Sequence, residues 1–150
     1  MMYKSCFLFG NADTPSSVIS SLKSEIKREI EKGITTFYVG HRGNFDNMAI
    51  SALLHEKRHN EEMELLLLTA YHPSEYKVSL PIGFDGTFYP EGMESTPRKF
   101  AIVEANKYMV RHTDSIICHV IYPGNARKLL DYAQRETLKR EIRITNLAEK

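Results

Sequence analysis

The residues with most chemical potential in this sequence are consecutive: Val39-Gly40-His41-Arg42-Gly43-Asn44-Phe45-Asp46. Glycines let a backbone approach a ligand closely, and the N–H groups that open a helix attract negative charge. Arg42 has the planar fork that grips a phosphate or carboxylate. His41 offers a second contact, and Asp46 is placed to cap the helix that follows. The segment reads as an anion cradle, with Gly40, His41, Arg42, Gly43 and Asp46 as ligand-binding candidates. A tight turn alone would explain the two glycines, but not the His-Arg pair between them.

Two further junctions have the same build. Gly10-Asn11-Ala12-Asp13 follows an apolar run and precedes a helical pattern. Gly10 would allow close approach and Asn11 would bond a ribose or phosphate; the alternative is an Asx-type turn that only caps the helix. A full Gly-x-Gly-x-x-Gly is missing, so a dinucleotide fingerprint is not supported. Tyr122-Pro123-Gly124-Asn125 is the third junction, adding Gly124 and Asn125 as candidates. Between them, residues His72 to Thr96 form a long segment rich in Pro, Gly and aromatics. Loops of that length inside a compact domain are usually functional. It reads either as a lid whose aromatics stack on a base or as a cover packed on the sheet edge. Glu91 and Glu94 within it, and Asp131 on a later helix, are the candidate catalytic carboxylates. Arg98 would reach a phosphate or pair with Glu94. His55 and His59 have i,i+4 metal spacing but read as an exposed helix face. No metal or cofactor is expected.

The elements that must position these loops alternate. Strands are expected over Tyr3–Phe9, Thr35–Val39, Glu64–Tyr71 and Ile116–Ile121, with a short last one at Ile142–Ile144. The third is continuous in leucine, as in a sheet covered on both faces. Helices are expected from Pro15 to Gly33, from Asp46 to about Arg58, over Pro97–His112 and from Asn125 to about Arg135. This alternation implies an α/β fold, a Rossmann-like three-layer α/β/α sandwich with a mainly parallel sheet of about five strands. Ligands in such sheets bind beyond the carboxyl ends of the strands, where strand order reverses. All three glycine-containing junctions leave strands at that end.

Composition narrows the class. At 150 residues the chain forms one domain with room for a sizeable core. The balance of 20 Lys+Arg against 19 Asp+Glu argues against a nucleic-acid binder working through a basic surface. Cys6 and Cys118 fall in apolar runs and read as buried thiols in a reducing compartment. The segment Met1-Met2-Tyr3-Lys4-Ser5 lacks the build of a signal peptide, and Leu65–Leu68 is too short to span a bilayer. A cytoplasmic protein without membrane contact is expected.

Read together, Phe9 to Asp13, Phe37 to Asp46, Phe84 to Arg98, His112-Thr113-Asp114 and Gly124-Asn125-Ala126-Arg127 resemble the SLOG superfamily, in its small bacterial and phage branch called YpsA-like. The resemblance covers nearly the whole chain. It implies a Rossmann-like domain and a nucleotide-like ligand over the strand ends; relatives include the Lonely Guy phosphoribohydrolases and the DNA-processing protein A group. Gly40 to Asp46 resembles the superfamily's second-strand loop with its Arg-Gly-x-x-Asp core. Pro123 and Gly124 match the hydrolases' Pro-Gly-Gly-x-Gly-Thr-x-x-Glu motif, and Asp131 stands where its catalytic Glu would. Asn125, Arg127 and Lys128 replace the second glycine, third glycine and threonine. Ala105 and Asn106 stand where the hydrolases carry an Arg-Lys pair, leaving Arg98 or Lys107 as substitutes. The expected function is therefore binding of a nucleotide or nucleotide-derived small molecule, as a sensor, adaptor or sequestering module. An N-glycosidic hydrolase is the alternative, and a protein-interaction module without ligand a second one. Relatives in the superfamily often pair, which makes a homo-oligomer plausible.

Overall fold

A computed structural model describes residues 4–149. Tyr3, the expected start of the first strand, and Met1-Met2 of the leader reading lie outside the described residues. The chain runs β1 (Ser5–Gly10), α1 (Ile19–Glu31), β2 (Thr36–Val39), α2 (Gly43–Lys57), β3 (Glu64–Leu68), β4 (Gly86–Phe88), α3 (Ala101–His112), β5 (Ser115–His119), α4 (Asn125–Glu136) and β6 (Arg143–Asn146). All strand pairs are parallel, in one sheet of order β4-β3-β2-β1-β5-β6. The fold is α/β and Rossmann-like, with six strands instead of the expected five.

Strand alternation sends successive side chains to opposite faces. Cys6 and Leu8 join Leu22, Ile26, Phe45 and Leu53 in a core under α1 and α2. Phe7, Phe9, Ile116 and Cys118 join Ala105, Met109 and Leu130 under α3 and α4. The two cysteines thus face opposite layers, and no disulfide can join them. Burial pushes both thiols up, Cys118 to about 12, so neither is a nucleophile at neutral pH.

The extra strand lies inside the long 72–96 segment. Gly86–Phe88 pairs with Leu66–Leu68 as a short parallel edge, and the Asp85 carboxylate accepts the Leu65 N–H at 2.8 Å. Three residues beginning with glycine have no alternation to reveal them. The covering arm of the loop reading is therefore the one that fits this stretch: Phe84 is buried in the first core and Phe88 packs against Tyr38 at 5.2 Å.

Strand ends also shift. β3 stops at Leu68 and β5 at His119, short of Tyr71 and Ile121. Past His119 the backbone leaves the ladder for side chains: Val120 N–H donates to Asn146 Oδ1, and Ile121 and Tyr122 N–H groups donate to Asn11 Oδ1. These two asparagines hold open the loop that leaves β5. No helix among the described residues is long and apolar enough to cross a membrane.

Candidate functional site

Strand order reverses between β1 and β5, and there the loops after β1, β2 and β5 converge. Together with α3 they enclose a cleft of about 630 Å³, within the usual range for small-ligand sites. Its floor is apolar: Phe9, Leu68, Ala70, Ala105 and Leu129 are buried, and Ile102 and Ala126 half-buried. Its lip is polar, formed by Asn11, Asp13, His41, Arg42, Asp46 and Asn125.

Eight of the ten sequence-derived ligand candidates line this cleft: Gly10, Asn11, Gly40, His41, Arg42, Asp46, Gly124 and Asn125. Their local roles differ from those expected. Asp46 is not the helix cap. The helix opens at Gly43 with Arg42 in the cap position, and Asp46, in the first turn, accepts the Arg42 N–H at 2.8 Å. Its carboxylate also lies against Gly40, where an added Cβ would sit 3.0 Å from Oδ2. The close approach at Gly10 is taken by protein: a Cβ there would meet the Phe45 ring at 2.5 Å. Asn11 does not form the Asx-type turn: its backbone carbonyl accepts Thr14 N–H and Oγ1–H, while its side-chain oxygen accepts the Ile121 and Tyr122 N–H groups.

Gly43 and Arg98 are not part of the cleft lining. Gly43 has φ of +89° and faces Ala12, whose Cα would lie 2.7 Å from an added Cβ; next to it, Asn44 N–H donates to Ala12 O at 2.7 Å. The first and second loops are thereby welded into one wall. Arg98 lines a neighbouring cavity and pairs with Glu75 at 3.4 Å, not with Glu94. Glu94 lines that second cavity too, whereas Glu91 lines neither and is exposed. Asp131 points from an exposed position of α4 and is likewise absent from both linings. Lys107 sits over the Tyr132 ring at 5.2 Å. Ala105 and Asn106 do face the cleft, so that wall carries no basic pair.

Electrostatics at the lip follow from burial. Asp46 is nearly inaccessible, and desolvation raises its carboxyl from 3.8 to about 7, against the opposing pull of the Arg42 N–H and guanidinium. Desolvation and then the Arg42 charge lower the His41 imidazole, which is neutral at pH 7. Among the described residues, exposed Arg42 is the one Lys or Arg lining the cleft. An incoming anion thus meets Arg42, a neutral imidazole and a carboxyl able to take up a proton.

Sequence reasoning did not single out Asp13, Ile102 or Tyr122 as lining residues. Ile102 shows only helical core spacing, and half-exposed Tyr122 gave no signal beyond its place before a turn. Fold and cleft together define a parallel α/β domain with a built pocket at its topological switch point. No family model matches the chain, and comparison with curated proteins returns no match.

Proposed function

We propose that the cleft binds a nucleotide or nucleotide-derived small molecule, the chain serving as a sensor, adaptor or sequestering module of the SLOG type. The observation that carries this reading is the convergence of three strand-to-helix junctions on one cleft with a polar lip and an apolar floor. The lip of Gly40, His41 and Arg42 suits a phosphate, and the floor of Phe9, Ala70, Ile102 and Leu129 suits a planar base. Thermal unfolding of the folded protein against a panel of nucleotides tests it. A ligand at a hundred times its dissociation constant stabilises the fold by about 2.7 kcal/mol, and Arg42→Ala should abolish that gain. Absence of any shift across the panel would overturn the reading.

One observation favours N-glycosidic hydrolysis as a second reading: a cleft-lining carboxyl, Asp46, titrates near neutrality, as a general acid must. The carboxylates that the sequence offers for catalysis, Asp131, Glu91 and Glu94, lie outside this cleft. Chromatography of nucleoside monophosphates incubated with the protein would show free base, and Asp46→Asn should stop its release.

A further inference from the structure

The second cavity, of about 500 Å³, adjoins the first across Ala70, which lines both. Tyr71 stands at the border. The Arg98 guanidinium carbon lies 4.4 Å from its ring centroid, and that of Arg42 lies 5.9 Å from the same centroid. One ring therefore gathers an arginine from each cavity, and a diphosphate lying across it reaches both. Arg98 is free to accept such a group. Its partner Glu75 is itself exposed, and an exposed pair of this kind contributes little.

Beyond Arg98 the lining changes character. Glu75 and Glu94 contribute carboxylates, Ser74 and Thr96 hydroxyls, and Tyr71 and Tyr89 aromatic surface. Both carboxylates share this cavity with Tyr89, and burial, then the charges of Glu94 and Glu75, raise its hydroxyl. Carboxylates repel a second phosphate but accept hydrogen bonds from vicinal hydroxyls, and aromatic surface packs against the C–H side of a sugar ring. The chemistry is that of a polyol site, not of an anion site.

We infer that this cavity is a sugar subsite, and that the ligand is a nucleoside diphosphate carrying a sugar. The nucleoside occupies the first cleft, the diphosphate crosses Tyr71 between Arg42 and Arg98, and the sugar meets Glu75 and Glu94. The inference rests on the nucleotide reading of the first cleft and extends it to the substituent. Calorimetric titration of the full chain with ADP, ADP-ribose, ADP-glucose, UDP and UDP-glucose tests it. At least one sugar-bearing compound should bind about tenfold or more tighter than its parent diphosphate, since the tethered second group adds its own contacts. Glu94→Gln and Glu75→Gln, confirmed folded by circular dichroism, should erase that preference, and Arg98→Ala should weaken diphosphates as a class. Equal affinity for parent and sugar-bearing compounds would overturn the sugar subsite while leaving the nucleotide reading standing. A preference that survives both glutamine variants would do the same. Failure of every compound to bind the folded protein would remove both.

Discussion

Asp46 combines a ligand-facing position with a structural duty, and its protonation links the two. Its folded pKa of about 7 lies above the ordinary 3.8, so between those values the folded state holds a proton that the unfolded chain releases. Stability contributed by this group is present at low pH and is lost as pH rises toward 7, by at most roughly 1.4 kcal/mol per pH unit. Asp46→Asn keeps an acceptor for the Arg42 N–H and removes the charge. Its advantage over the native protein in denaturant midpoint should be smallest near pH 4, grow as pH rises and level off above about pH 7. Equal pH slopes for the two proteins would sink this account. Gly10 supplies a second test. Its missing Cβ is replaced by the fully buried Phe45 ring, so Gly10→Ala should destabilise by about 1–3 kcal/mol, measured by chemical unfolding. Phe45→Leu in the same chain should recover part of the loss if steric conflict is the cause.

At the scale of elements, the cleft depends on loops that satisfy one another's backbone. Asn11 after β1 accepts two N–H groups of the loop after β5, and Ala12 accepts Asn44 N–H at the start of α2. Asn11→Ala would leave the Ile121 and Tyr122 amides without their acceptor, at a cost of about 1–3 kcal/mol. Their hydrogen exchange should accelerate more than that of the β1 and β2 amides; uniform acceleration would indicate global loss instead. The same logic explains what was legible. β1 and β3 showed as apolar runs because both faces of the sheet are covered, while β4 did not, being three residues held by Asp85 and the edge of β3. Helix α2 starts three residues before the expected Asp46, whose carboxylate reaches back to the Arg42 N–H from within the first turn, a geometry that residue types do not specify.

Across the whole molecule, α1 is tied to β6 at the end of the sheet opposite the cleft. Glu29, 1% exposed, pairs with Arg143 at 2.5 Å, with Lys32 farther off at 3.9 Å. The pair joins residues more than a hundred positions apart. Removing only the cation leaves a carboxylate in the interior, so Arg143→Met should destabilise by about 3 kcal/mol in thermal or chemical unfolding. Glu29→Met combined with Arg143→Met should regain most of that, since the uncompensated charge is then gone. Equal losses in the single and double variants would assign the effect to packing. Because the pair lies far from the lip, any nucleotide affinity should survive in the folded fraction of either variant.

The alternation of apolar strand runs with helical spacing was sufficient to establish the α/β class, the parallel sheet and the three junctions that meet at its carboxyl edge. Those features are local: they depend on side-chain period, glycine and helix-start chemistry within a dozen residues. Contacts between distant segments decided the rest. Packing assigned Gly10 to Phe45 and Gly43 to Ala12, withdrew Asp131 and Arg98 from the main cleft, and brought Asp13, Ile102 and Tyr122 into it. Burial then raised the Asp46 carboxyl toward neutrality. A residue's type sets which bonds it is able to make, but which of them remain available to a ligand depends on what the rest of the fold has already used.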